Sequence, residues 1–161
     1  MEKIIFEPIG VIHSPFKDVK GVPIQPPAAK GIKGEVEIFN DYVEGLKDLN
    51  GFSHIYLLFY FHKSTKYTLT VVPYMDKEPR GVFATRAPRR PNKIGISVVR
   101  LKTIIDNIIL IEDVDIVDGT PLLDIKPYVP MFDQREEVTT GWLGDDKIKL
   151  AKTKDDGRFS I

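Results

Sequence analysis

Cysteine is absent from all 161 residues, which excludes disulfide staples, thiolate nucleophiles and cysteine-ligated metals. Net charge is missing too. The 23 basic and 23 acidic side chains cancel to a formal +0, so only their distribution along the chain can favour or oppose a polyanionic partner. No apolar run approaches the roughly 20 residues that a membrane-spanning helix needs. The opening MEKIIFEPIGVIHS carries acidic residues inside its apolar stretch and does not read as a signal peptide. A soluble, cytoplasmic protein without a membrane association is expected. Three site signatures are also lacking: G-x-G-x-x-G after a strand, the phosphate-cradling G-x-x-x-x-G-K-[ST] loop, and the G-x-S-x-G elbow. With no βαβ alternation either, a doubly wound nucleotide fold is not expected. The histidines are few. His54 and His62 share one strand face but lie about 26 Å apart at about 3.3 Å per residue, so no metal site is expected. His13 and His54 read as structural, whereas His62, ending its strand beside Lys63, is open to either role.

What is present is mostly strand. Hydrophobic residues at 42% and charged residues at 29% suit a globular protein with one core. Residues 3–13 are rich in Ile, Val and Phe and contain Pro8, which predicts an edge or bulged strand. A Pro- and Gly-punctuated loop over 16–33 precedes a short strand at 34–39. Asn40 or Asp41 as cap, Tyr42, Leu46 and Leu49 at helical spacing, and Gly51 beyond the end predict one helix. The strongest strand is FSHIYLLFYFH over 52–62. One face bears Ile55, Leu57, Phe59 and Phe61, and the other bears His54, Tyr56, Leu58, Tyr60 and His62. Alternation returns at 66–72. Residues 97–105 and 108–117 read as a hairpin around Asp106-Asn107, with Asp118-Gly119 as a further turn and a short strand at 122–126. The expected class is mainly β: a small antiparallel β-barrel with a short helix and peripheral loops.

The most informative stretch is ATRAPRRPNKIGISVVRL, residues 84–101. It gathers Arg86, Arg89, Arg90 and Lys93 with no acidic residue among them. Pro88 and Pro91 fix φ and restrain the residues before them, and Gly95 permits close backbone approach. A stiff cationic rim at the mouth of a sheet suits a carboxylate- or phosphate-bearing ligand, because arginine forks match those anions bidentately. The bland reading is a solvated basic loop. Opposite in charge is Glu112-Asp113-Val114-Asp115 at the end of an apolar strand. Alternation would put Asp113 and Asp115 on one face, either solvated or holding ribose hydroxyls or an ammonium. A carboxylate-pair hydrolase is the weakest of the functions these residues allow. A non-catalytic module that binds a nucleotide or RNA through the basic rim is a stronger alternative.

Taken together, IGVIHSPF, GFSHIYLLFYFH, GVFATRAPRRPNKIGIS and VDIVDGTPLLDIKPYVP, in that order, resemble the tRNA methyltransferase O family. The likeness runs to about residue 133. It implies a homodimeric, S-adenosylmethionine-dependent β-barrel enzyme that methylates N6 of N6-threonylcarbamoyl-adenosine beside the anticodon of threonine tRNA. By position it implies a cofactor pocket formed by Gln25, Pro26 and Pro27, by His62 and Lys63, and by Arg86, Ile96 and Glu112, Asp113, Val114 and Asp115. Ile24 stands where the family's P-R-Q-P-G loop has arginine. The cofactor bears a carboxylate, an ammonium, a ribose and a sulfonium, so Arg86 is expected at the carboxylate and Asp113 or Asp115 at the ribose or ammonium. Arg89, Arg90, Asn92 and Lys93 are expected to contact tRNA. Asp124, Lys126 and Tyr128 are candidates for the proton-removing base. Residues 1–135 are expected to form the methyltransferase barrel, with 136–161 packed on it or trailing.

Overall fold

The computed structural model describes residues 2–144 and 153–159. Six antiparallel strands close into a barrel: β1 (Gly10–His13), β2 (Lys33–Ile38), β3 (His54–Tyr60), β6 (Ile94–Ile105), β7 (Ile108–Glu112) and β8 (Thr120–Pro127). Their order around the barrel is β1-β2-β7-β6-β3-β8, and a separate two-stranded sheet joins β4 (Thr70–Val71) to β5 (Arg80–Gly81). Pleating sends alternate side chains inward. In β3 the buried residues are Ile55, Leu57 and Phe59, and the intervening residues are more exposed. With Ile12, Val36, Ile38, Val99, Ile109, Ile111, Val114 and Leu122 they form an apolar core, and the buried polar residues of these strands are Ser97 and Thr120. Full burial of each such side chain contributes about 1.5–3 kcal/mol.

Two local features carry the register. The β6–β7 hairpin turns on Asp106-Asn107, where Asp106 takes a φ of 52° and Asn107 Nδ2 donates to the Ile38 carbonyl at 2.9 Å. Gly95 pairs with Phe59 across β6 and β3. A Cβ at Gly95 would lie 2.3 Å from Cε2 of Phe59, so only glycine lets that ring pack against the strand.

Three expectations are corrected. The predicted helix is a pair of 3-10 segments, Asn40–Leu46 and Leu49–Gly51, started from Phe39 without a side-chain cap. Asp48 in the left-handed region, φ 66°, interrupts the run, and Leu46 and Leu49 reach only the edge of the core. Among the described residues the one α-helical turn lies instead at α1 (Pro130–Asp133). The first strand is not an edge: β1 spans only Gly10–His13 and is paired on both sides, to β2 and β8, because the barrel closes. Pro8 precedes it, and Ile4, Ile5 and Phe6 are exposed. The strand expected over 66–72 is confined to Thr70–Val71.

Candidate functional site

Where β3 ends and β6 begins, the chain encloses a cavity of about 200 Å³. Its floor is Phe59, Phe61, Gly95 and Ser97. Its walls come from the loop around Val22–Gln25, the cationic segment at Thr85, Arg86 and Arg90, the stretch after β7 at Asp115–Val117, and Asp155 and Phe159 near the C-terminus. A wider cavity of about 560 Å³ adjoins it. The two share Ile24, Gln25, Tyr74, Thr85, Arg86 and Phe159, and the second adds Phe83, Met75, Trp142 and Leu143. Trp142 Nε1 donates to the Ala84 carbonyl at 2.8 Å, and Phe83 is 77% exposed.

Strand ends and the loops beside them position the polar groups of the first cavity. After β3 the chain turns back, with the Ser64 amide donating to the Phe61 carbonyl at 3.0 Å, which presents His62 and Lys63. Thr120 donates its only hydroxyl proton to the Val117 carbonyl at 2.6 Å, so toward His62 Nδ1 at 3.3 Å it can only accept. That places the imidazole proton on Nδ1 and leaves Nε2 with a bare lone pair. Burial, assisted by the Lys63 charge, holds the His62 pKa below its usual value, so the ring is neutral at physiological pH. Arg86 NH1 donates to Gln25 Oε1 at 2.7 Å, tying the cationic segment to the proline loop.

Asp115 is the most perturbed carboxylate of the cavity wall. Burial pushes its pKa up to about 7, opposed by the hydrogen bond from Ser97 Oγ at 2.7 Å and by the charge of Arg86. Among the described residues no lysine or arginine lies within ion-pair distance of it. The shared face expected for Asp113 and Asp115 does not form. β7 ends at Glu112, Asp113 takes a φ of 69°, and alternation stops there. Asp113 accepts from the Gly31 amide at 2.8 Å and pairs with Arg100 at 3.8 Å. Glu112 pairs with Lys102, and Val114 belongs to the barrel core.

Of the residues expected at a cofactor pocket, the structure thus brings Gln25, His62, Lys63, Arg86, Ile96 and Asp115 to one cavity. Pro26 is buried at the start of a 3-10 turn, Pro27 is exposed, and neither lines it. Within the cationic segment the arginines are tied to backbone carbonyls. Arg90 NH1 donates to the carbonyls of Thr85 and Ala87 at 3.0 and 3.2 Å, and Arg89 Nε to that of Phe159 at 3.3 Å. Lys93 Nζ donates to the Thr65 carbonyl at 3.1 Å, and Asn92 is exposed. Asp124, Lys126 and Tyr128 are not in this cavity. Asp124 and Lys126 pair with each other at 2.8 Å, and Tyr128 packs against the rings of His54 and Tyr56. Ser97, Thr120, Tyr74 and Asp155 were not marked by the sequence, because their roles follow from which strand ends and loops meet. Among the described residues no three His, Asp or Glu side chains cluster as a metal site, and no helix is long and apolar enough to cross a membrane.

The family model described as tRNA-methyltransferase O N-terminal domain matches residues 11–134. A probable S-adenosyl-L-methionine-binding protein of Pyrococcus abyssi is 62% identical over 156 residues, covering 97% of this chain and 85% of that protein. The tRNA (adenine(37)-N6)-methyltransferase of Escherichia coli is 40% identical over 152 residues, covering 88% of this chain but only 65% of its own length. The crystal structure of TrmO from Pseudomonas aeruginosa superposes with a TM-score of 0.74 at 38% identity, over 88% of this chain and 63% of that one. With the barrel matched in sequence and in structure, the chain belongs to the tRNA methyltransferase O family.

Proposed function

We propose that this chain moves the methyl group of S-adenosylmethionine to N6 of an adenine in tRNA, with the threonylcarbamoylated adenosine beside the anticodon of threonine tRNA as its substrate. The coarser part of this reading follows from the family: an S-adenosylmethionine-dependent tRNA methyltransferase. The observation that carries it is the convergence of Arg86, Asp115, Gln25 and His62 on one small cavity. A cationic fork, an uncompensated carboxylate and apolar walls at Phe59 and Phe61 fit a ligand that bears a carboxylate, two cationic groups and an adenosine.

When bound, the cofactor supplies an electrophilic methyl group on a positively charged sulfur. The protein's part is alignment and exclusion of water, which supply much of the acceleration in such a displacement. Arg86 holds the carboxylate end with the guanidinium donors not directed at Gln25. Asp115 faces positive charge. The acceptor base enters from the adjoining cavity, where Phe83 and Trp142 offer rings for stacking and a flipped base can be read outside its stack. The acceptor nitrogen must lose a proton, and in this reading neutral His62, which lines the first cavity, is the base that takes it. Arg90 lines the first cavity, and in this reading Arg89, Arg90, Asn92 and Lys93 of the cationic segment contact the tRNA backbone.

The same reading includes a homodimer in the cytoplasm. Support for the dimer comes from the outward face of β3 and β6, where Leu58 opposes Ile96 and Tyr60 opposes Ile94, leaving Tyr60, Ile94 and Ile96 at 39%, 37% and 44% exposure. We also propose that residues 1–135 form the methyltransferase unit and 136–161 a C-terminal extension; the bridge from Pro23 to Lys154 supports contact of residues 153–159 with that unit.

The test is mass spectrometry of nucleosides from threonine tRNA incubated with the protein and labelled cofactor, with and without prior threonylcarbamoylation. Label on the threonylcarbamoyl nucleoside is expected. Label on unmodified adenine alone would move the substrate, and cofactor binding without label would leave a binding module.

A further inference from the structure

The cavity contains a second carboxylate that the barrel does not supply. Asp155 lines it beside Tyr74 and lies beyond residue 134, where the family match ends. The segment that carries it is tied down on both sides. The Gly21 amide donates to the Asp155 carbonyl at 2.7 Å, and the Asp155 amide to the Val22 carbonyl at 2.8 Å. Phe159 is 6% exposed against Val71, Val82 and Ala87 and meets Tyr74 edge-on at 5.0 Å. Arg158 stacks over the Tyr74 ring at 5.1 Å and donates to the Pro73 carbonyl at 3.2 Å. These contacts make residues 153–159 a wall of the cavity.

Within that wall Asp155 is under-compensated. One carboxylate oxygen accepts from the Gly157 amide at 2.7 Å, and among the described residues no lysine or arginine comes within ion-pair distance. Its neighbour Asp156 is exposed and takes Arg158 at 2.6 Å. The Tyr74 hydroxyl is buried with no well-formed hydrogen bond, although it lies close enough to Asp155 for each to perturb the other's ionisation. Burial holds the Asp155 pKa above the usual carboxylate range. One cavity therefore contains two carboxylates, Asp115 and Asp155, that feel the charges of Arg86 and Arg158 but that no cationic side chain among the described residues pairs at ion-pair distance. A buried charge left in that state is costly unless something neutralises it.

We propose that Asp155 faces one of the two cationic groups of bound S-adenosylmethionine, its ammonium or its sulfonium, and that residues 153–159 are part of the cofactor site. This rests on the cofactor reading above. The two carboxylates then match the two positive centres of the ligand, with Arg86 left for its carboxylate. Asn at position 155 retains an acceptor for the Gly157 amide, so Asp155→Asn tests the charge with the strap's own bond kept.

The experiment is calorimetric titration of the full chain, its Asp155→Asn variant and Asp156→Asn with S-adenosylmethionine and with S-adenosylhomocysteine, which keeps the ammonium but lacks the sulfonium charge. Thermal melts verify that each variant is folded. Asp155→Asn is expected to weaken S-adenosylmethionine about tenfold or more, and Asp156→Asn to leave it within twofold. Equal loss for both ligands assigns Asp155 to the ammonium, and loss confined to S-adenosylmethionine assigns it to the sulfonium. Wild-type affinity for both in a folded Asp155→Asn protein overturns the proposal while leaving the cofactor reading intact. A wild-type chain that binds neither ligand overturns the cofactor reading itself.

Discussion

The barrel interior and the cavity at its end are built from the same strands on opposite terms. Inside, Ile55, Leu57, Ile109, Ile111 and Leu122 are fully buried and no polar side chain is left unsatisfied. One strand-end away, Asp115 and the half-buried Asp155 have no cation at ion-pair distance among the described residues, the Tyr74 hydroxyl lacks a well-formed bond, and His62 is held neutral. The alternation that places Phe59 in the core places Ser97 and the Thr120 hydroxyl at the cavity, because β3, β6 and β8 all reach it. The interior is arranged for stability. The cavity retains electrostatic costs that a ligand of complementary charge would relieve.

The sharpest break between the two regions is expected from His62→Gln. If Nε2 takes the acceptor proton, turnover should fall about 10²- to 10⁴-fold, with the melting temperature unchanged and single-turnover kinetics showing the loss in the chemical step. Next comes Leu57→Ala, expected to destabilise the fold by about 2–5 kcal/mol through lost burial and a residual cavity, as read by denaturant unfolding. Asp115→Asn should do the reverse of Leu57→Ala, leaving stability equal or higher while cofactor affinity drops. A strongly destabilised Asp115→Asn protein would dissolve the contrast. Phe83→Ala, at an exposed ring of the second cavity, is expected to raise the KM for tRNA by the equivalent of about 1–3 kcal/mol of base stacking, with cofactor affinity unchanged in calorimetry. The smallest effect belongs to Asp124→Ala: its pair with Lys126 is exposed, and such pairs contribute about 0–1 kcal/mol.

Proton linkage sharpens the same comparison. The Asp115 pKa is raised to about 7 in the fold, from 3.8, so the ligand-free protein gains stability from this group below pH 3.8 and loses it as pH rises through 7. A cationic ligand needs the ionised form. Cofactor binding near pH 7 should therefore release protons, and affinity should fall as pH drops below about 7. Calorimetry in buffers of different ionisation heat measures the release, which Asp115→Asn should remove. An unchanged proton release in that variant would assign it to another group.

Much of this was legible before any coordinate. The period-two pattern of residues 54–60, the hairpin at Asp106-Asn107 and the need for Gly95 follow from pleat, turn chemistry and steric room, which are local. The failed helix shows the limit of that locality. Tyr42, Leu46 and Leu49 had helical spacing, but a short connection between two barrel strands gave them only the edge of a core to pack against, and a left-handed Asp48 divided it into 3-10 turns. Asp113 and Asp115 show it more sharply. Their separation of two residues promised one face, yet the strand ended at Glu112, just before both, and left one on a turn with Arg100 and the other in the cavity.

The sequence alone determined the strands, the tight turns and a stiff cationic segment opposite an acidic one, because each depends on neighbours within a few residues. Only the tertiary structure decided which charges are left without partners. Asp155 stands 40 residues beyond Asp115 and 69 beyond Arg86 in the chain, and what a carboxylate costs or binds depends on the water, cations and hydrogen-bond donors that barrel closure leaves around it.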